Sequence, residues 1–188
     1  MLTRGGAKTA LVTTLGFNDL LRIGDQARPH LFELAIKKPE PLFSSSLEID
    51  ERVLANGTVE RQPVEEDVRK KLIQLRESTG IQSIAICLMH GYRYPEHERI
   101  VGRIAREIGF EDVRMSHEVA PLIKIVPRGE TTVLDAYLNP VIGRYLDEIQ
   151  SSLSSASELR LMTSAGGLVS RERFSGKDSV LSLSLIHI

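Results

Sequence analysis

Seven consecutive residues, Ser83–Met89 (SIAICLM), carry no charge, and only the first of them is polar. A strand without alternation meets water on neither face, which is the signature of a parallel sheet covered by helices on both sides. The flanks agree with that reading. Glu65–Thr79 opens with Glu65, Glu66 and Asp67, turns Val68, Leu72 and either Ile73 or Leu75 to one side, and is followed by Gly80, which predicts an amphipathic helix. A second helix is predicted from Pro95, with Ile100, Val101, Ile104, Ala105 and Ile108 inward and Gly109 as its stop; Asp112–Met115 then reads as a strand. Helix–strand–helix–strand over Glu65–Met115 is the rhythm of an α/β unit.

Upstream, Ala7–Thr14 predicts a buried strand with no earlier element to pair beside it, and Gly16 opens a short helix over Phe17–Ile23. Gly24–His30 is a polar loop whose Gln26 and Arg28 are able to hydrogen-bond a ligand, although such loops are mostly solvated. Leu31–Ile36 is a short apolar piece and Lys37–Pro41 a proline-bounded connector. Ser46–Leu54 alternates, Asn56-Gly57 favours a tight turn, and Thr58–Arg61 returns as the second arm of a hairpin.

Downstream, Pro121 and Pro127 predict an extended approach to a long apolar stripe that starts at Thr131 and runs through Val133, Leu134, Tyr137, Leu138, Val141, Ile142, Tyr145, Leu146 and Ile149. Pro140 inside that stripe should kink the helix or split it. Arg128, Thr131 and Thr132 at its start fit an anion site at a helix N-terminus. They fit equally an arginine paired with a local carboxylate and a threonine cap, the more common use of these residues. A Ser-rich loop at Ser151–Ser157, a strand at Leu159–Thr163, a turn at Ser164–Gly167 and a short helical piece near Arg171 follow.

Charge is balanced, with 24 Lys and Arg against 25 Asp and Glu, so no basic surplus points to nucleic acid or an anionic membrane. The lone Cys87 excludes an internal disulfide and a multi-cysteine zinc site, and its apolar strand makes it a small buried hydrophobe. No apolar run is long enough to span a bilayer and the start lacks a signal-peptide core; the expectation is a soluble, cytoplasmic protein.

Ligands of open α/β sheets gather at the carboxyl ends of the strands. Three polar stretches are expected there: His90-Gly91-Tyr92, Ser116-His117-Glu118 and Ser164–Gly167. His90, behind a deeply apolar strand, is a catalytic or substrate-binding candidate. His97, close to Pro95, reads as a surface or capping residue, and the histidine spacing matches no metal-ligand pair. Gly166 and Gly167 offer backbone N–H groups to an anion or simply make a tight turn. Neither of the common glycine-rich nucleotide loops occurs.

Several pieces in order resemble the hydantoinase/oxoprolinase family, in its 5-oxoprolinase branch: AKTALVTTLGFNDLLR (Ala7–Arg22), IGDQARPHLFEL (Ile23–Leu34), LEIDERV (Leu47–Val53), LMHGYRYPEHE (Leu88–Glu98), VPRGETTVLDAYL (Val126–Leu138), SAGGL (Ser164–Leu168) and FSGKDSVLS (Phe174–Ser182). The resemblance implies an incomplete actin/sugar-kinase-like (ribonuclease H-like) α/β ATPase fold. It also implies ATP-dependent opening of 5-oxo-L-proline to L-glutamate, with ATP and Mg2+ as cofactors. Phosphorylation of the lactam oxygen would make a poor electrophile open to water. It further implies a hydantoinase B-like second half as partner and a homo-oligomer as the full-length protein.

Relatives begin earlier, with an Asp/Gly/Thr-rich phosphate loop, and continue into a Gly-Pro-Ala-Gly-Gly segment. They often carry an acidic or amide residue where Ala165 stands. The expectation is therefore an inactive interior fragment: residues 1–116 as part of the N-terminal region, 117–182 as the beginning of the hydantoinase A domain, and 183–188 as a non-native tail. A hydantoinase acting on a related cyclic amide and a noncatalytic ligand- or partner-binding module are the alternatives.

Overall fold

The computed structural model describes residues 5–25, 39–153, 159–164 and 166–179. In chain order the elements are β1 (Thr9–Thr14), α1 (Leu20–Ile23), β2 (Ser45–Ile49), β3 (Arg52–Val53), β4 (Val59–Arg61), α2 (Glu65–Thr79), β5 (Ser83–Cys87), α3 (Glu96–Ile108), β6 (Asp112–Met115), α4 (Ser116–Val119), α5 (Ile125–Ser152), β7 (Arg160–Met162) and β8 (Leu168–Ser170). Two short 3-10 turns, Arg171–Arg173 and Gly176–Ser179, follow.

The main sheet has four strands in the order β2-β1-β5-β6, every pairing parallel. The strand near the start is interior: β2 and β5, both later in the chain, pair on its two sides. Its partners are non-local, which is why no neighbour for it was visible upstream. Successive side chains of β1 and β5 point to opposite faces. Ala10, Val12, Ile84 and Ile86 meet Val68, Leu72 and Leu75 of α2 and Val101, Ile104 and Ala105 of α3. Leu11, Ala85 and Cys87 meet Val133 and Ala136 of α5 on the other face. Both faces of β5 are thus dry, as its uninterrupted apolar run requires. Of the two inward candidates on α2, Leu75 is buried and Ile73 is exposed.

Helix α5 departs from the sequence reading at its start and at its proline. It begins at Ile125, not Thr131, because Pro127 falls in the first turn, where a missing N–H costs no ladder bond. At Pro140 it neither ends nor splits, and it runs 28 residues, about 42 Å. The proline frees the carbonyl of Ala136, four residues back. The Ser83 hydroxyl donates to that carbonyl at 2.7 Å, and the Ala7 N–H takes the neighbouring Tyr137 carbonyl at 2.9 Å. Tertiary donors thus replace the bond the helix forgoes.

The hairpin β3–β4 forms, with a wider loop than a two-residue turn. Leu54 N–H donates to Thr58 O and Gly57 N–H to Leu54 O, both at 2.9 Å, while Gly57 takes φ 89°. This is the pattern of a three-residue loop closed by a left-handed glycine. The second hairpin, β7–β8, is a separate two-stranded sheet.

Candidate functional site

Because β5 and β6 are parallel neighbours, His90 and Ser116-His117 come to the same edge of the sheet, beside the end of β1 at Thr14. The third polar stretch does not join them. It turns between β7 and β8, which pair with each other and with no strand of the main sheet among the described residues. Three expected stretches therefore converge as two.

Glu98 organises this edge. It lies on the inner side of α3, a turn ahead of Val101 and Gly102, and is fully buried. Its Oε1 accepts from Leu88 N–H at 3.0 Å and from the Ser116 hydroxyl at 2.5 Å. Its Oε2 accepts from His117 N–H at 3.1 Å and from His117 Nδ1 at 2.7 Å. A carboxylate offers about four lone-pair directions, and all are filled. Gly91 makes room for it: a Cβ there would lie 2.2 Å from Oε1.

Glu51 forms a second buried centre. Its Oε1 accepts from the Thr14 hydroxyl and its Oε2 from His97 Nδ1 at 2.6 Å, while Thr14 Oγ1 accepts from Met89 N–H at 3.0 Å. His97 is consequently 3% exposed, not a surface or capping residue, and its Nε2 has no partner. The sequence reading went wrong because helix phase, not proximity to Pro95, decides burial: His97 and Glu98 sit on the face that continues through Val101, Gly102 and Ala105.

Arg128 is fully buried. One terminal nitrogen donates to Leu88 O at 2.6 Å and Met89 O at 2.8 Å, the other to Leu122 O at 2.8 Å, and the guanidinium lies over the Tyr92 ring at 5.3 Å from its centre. It pairs with main-chain carbonyls, so the local carboxylate partner expected from the sequence is not what it finds. Neither threonine caps the helix: Thr131 donates to Pro127 O and Thr132 to Arg128 O, both at 2.7 Å, one turn back.

His90 Nδ1 lies 2.6 Å from Val53 O. A carbonyl only accepts, so Nδ1 carries the proton and the neutral ring keeps its lone pair on Nε2. His117 is held likewise by Glu98, with Nε2 3.9 Å from Glu118 Oε1. The edge thus presents two imidazoles, each oriented through a bond at Nδ1. Among the described residues, no group of three or more His, Cys, Asp or Glu side chains could hold a metal ion. Burial pushes the Cys87 thiol up to about 11, the nearby Arg128 cation offsetting only part of that rise, so it is a packed thiol and not a nucleophile.

Gly166 and Gly167 make the tight turn: their N–H groups go to Thr163 O at 2.9 Å and Thr163 Oγ1 at 3.2 Å. Gln26 and Arg28 lie outside the described residues. Sequence reasoning placed Ser116 at this edge but missed Glu51, Glu98 and Asp135. For Asp135 a signal existed, since Arg128, Thr132, Asp135 and Ala136 share one helical face and all are buried. Its Oδ1 accepts from Lys177 N–H at 2.7 Å and its Oδ2 lies 3.5 Å from Arg114 Nε.

The sequence profile of the hydantoinase/oxoprolinase N-terminal region matches residues 1–109, more than half of the chain, and that of hydantoinase/oxoprolinase matches residues 128–184. The chain belongs to the hydantoinase/oxoprolinase family. It is 44% identical to the 5-oxoprolinase of Saccharomyces cerevisiae over 96% of its own length and 16% of that protein's. The chain spans about a sixth of the length of the curated relatives it matches first. Among solved structures, the ATP-dependent caprolactamase of Pseudomonas jessenii superposes with a TM-score of 0.80 at 26% identity, covering 93% of this chain and 26% of that one. Nucleotide-free acetone carboxylase superposes equally well, at 0.80 and 23% identity, over 97% of this chain and 28% of that one, which speaks to the fold alone. The α/β fold with its parallel sheet is therefore shared with both of these enzymes. Among the described residues, no helix is long and apolar enough to cross a membrane.

Proposed function

We propose that the chain serves an ATP-dependent 5-oxoprolinase, which opens 5-oxo-L-proline to L-glutamate with cleavage of ATP to ADP and phosphate. The observation that carries this reading is the 44% identity to a 5-oxoprolinase over 96% of the chain, against 26% to the caprolactamase over 93%. The described residues do not themselves fit a nucleotide or its magnesium. Gly166 and Gly167 spend their N–H groups on Thr163, Gly16 and Asn18 theirs on Glu48, and Arg128 is committed to carbonyls. No phosphoryl step is assigned to them. Their role in this reading is to set the carboxyl edge of the sheet, with His90 and His117 facing the lactam and Arg128 holding the backbone beneath it.

The reading extends to a division of the chain near residues 116 and 117, a hydantoinase B-like partner half and a homo-oligomer. The test is turnover. The purified chain mixed with ATP and 5-oxoproline should release no phosphate above buffer, whereas the longer polypeptide read from the same locus should form glutamate and ADP in equal amounts. Turnover of a hydantoin and not of 5-oxoproline would replace the reading with a hydantoinase; robust turnover by the chain alone would overturn the need for further segments.

A further inference from the structure

The loop of the β3–β4 hairpin carries chemistry that the sheet edge does not use. The chain has three asparagines, Asn18, Asn56 and Asn139, and their surroundings separate them sharply. Asn139 is followed by Pro140, whose nitrogen has no proton to lose, and its side-chain amide donates to Asp112 at 2.8 Å inside a helix. Asn18 is followed by Asp19, and its Oδ1 is buried. Asn56 is followed by Gly57, is exposed at a hairpin tip, and its Oδ1 accepts from Thr58 N–H at 3.0 Å.

We propose that Asn56 is a site of spontaneous deamidation and isoaspartate formation, and that the change reaches the sheet edge through this hairpin. Gly57 has no Cβ to shield its backbone nitrogen from the Asn56 side chain. The bond from Thr58 N–H fixes the side-chain carbonyl and draws electron density from Cγ. The opposing element is the Gly57 N–H bond to Leu54 O, which must open first. Openings of this kind at exposed tips are the cheapest a folded chain makes.

After hydroxide removes its proton, the Gly57 nitrogen attacks Asn56 Cγ. The new N–C bond forms as the side-chain nitrogen departs and leaves as ammonia, giving a five-membered succinimide. Water then opens the ring. Cleavage at Cγ gives aspartate, and cleavage at the main-chain carbonyl gives isoaspartate, with the chain rerouted through the former side chain. The balance is one water consumed and one ammonia released, with no oxidant or reductant.

Isoaspartate lengthens the loop by one methylene and removes the Oδ1 acceptor from its place. The loop is not free to absorb this. A Cβ at Gly57 would lie 2.8 Å from the Tyr94 ring, and Val53 O, the last carbonyl of β3, is the acceptor that fixes the His90 tautomer. Ageing at Asn56 therefore loosens the bond that orients His90.

The test incubates the purified full chain in mildly alkaline buffer. Peptide mass mapping and isoaspartyl methyltransferase labelling are read over time, with the Asn56→Ser variant as control. Acid and isoaspartyl forms should accumulate at position 56 alone, with methyl label absent from the variant. Hydrogen exchange of the aged chain should rise at residues 53–58 and around His90. An Asn56 amide that stays intact in the folded chain while it converts in urea would overturn the site, and conversion with unchanged exchange at His90 would overturn the coupling. Neither result bears on substrate identity.

Discussion

Arg128→Met removes the guanidinium from its carbonyls while keeping an unbranched apolar stem of similar reach. Of the acceptors it abandons, Leu88 O and Met89 O lie where β5 leaves the core, whereas Leu122 stands in an exposed loop whose carbonyl can turn to water. Met89 O is left without a donor, which costs roughly 1–3 kcal/mol, while Leu88 O keeps the Gly91 N–H at 3.2 Å and loses one bond worth about 1 kcal/mol, so the loss is about 3 kcal/mol. That is a large share of the roughly 5–15 kcal/mol that holds a domain together. At about 2–4 °C per kcal/mol for a chain of this length, the melting midpoint should fall by roughly 6–12 °C. Arg128→Lys should recover only part of this, because one ammonium cannot serve Leu88 and Met89 on one side and Leu122 on the other. Thermal and urea unfolding followed by circular dichroism measure both variants, with an unchanged urea slope showing that the same surface is exposed. A midpoint within about 3 °C of the parent, near 1 kcal/mol, would refute the clamp. If substrate use in the longer polypeptide also vanished at that unchanged midpoint, the guanidinium would belong to a ligand.

Ser83→Ala should cost about 1–2 kcal/mol by stranding the Ala136 carbonyl, and much of that cost should disappear in a Pro140→Ala background, where the backbone N–H restored at position 140 reclaims the acceptor. A double-mutant cycle with additive losses would reject this account of the proline. Glu98→Gln places an amide N–H where a carboxylate now accepts, and should destabilise the chain by roughly 2–4 kcal/mol. Nitrogen-15 spectra of His117 should move from the Nδ1–H tautomer to the Nε2–H tautomer, and an unmoved spectrum would deny that Glu98 sets it. For Cys87, whose thiol is pushed up to about 11 from 9.0, the unfolded chain ionises first as pH rises. Its contribution is full below pH 9 and is lost as pH climbs through 11, a change of up to about 3 kcal/mol. Cys87→Ala should flatten that part of the stability curve relative to the parent, and identical curves would contradict the shift.

What was legible in the sequence was whatever repeats along it. The period of two in β2, the unbroken run of β5 and the three-to-four spacing of α2 and α3 each report which faces are dry, and those faces match the two cores. The turn glycines at 80 and 109 read correctly because left-handed stops are local. Strand order did not read, since β1 takes both its partners from later in the chain. The start of α5 did not read, because a proline in the first helical turn and one in an extended approach look alike without the preceding dihedrals. The site read least well. His90 stood out by following an apolar strand, but Glu51 and Glu98 look like ordinary surface acids until helix phase and the loop after β2 turn them inward, and only tertiary contact decides that.

The reason so much charge is buried at this one edge lies in the backbone of Leu88 and Met89, where β5 runs out of strand partners. Leu88 N–H goes to Glu98 and its carbonyl to Arg128 as well as to the Gly91 N–H; Met89 N–H goes to Thr14 and its carbonyl again to Arg128. All four main-chain polar groups of these two residues are met by side chains drawn from α3, α5 and β1. A buried strand end must satisfy such groups somehow, since an unpaired one costs as much as a lost hydrogen bond. Apolar residues could have filled the same volume but could not have done this. The charges therefore fix the path by which the chain leaves the core, and the next residue on that path is His90. Its ring is then locked from the opposite side by Val53 O. A change at Glu98, Arg128 or Thr14 should accordingly displace His90 although none of the three bonds to its ring.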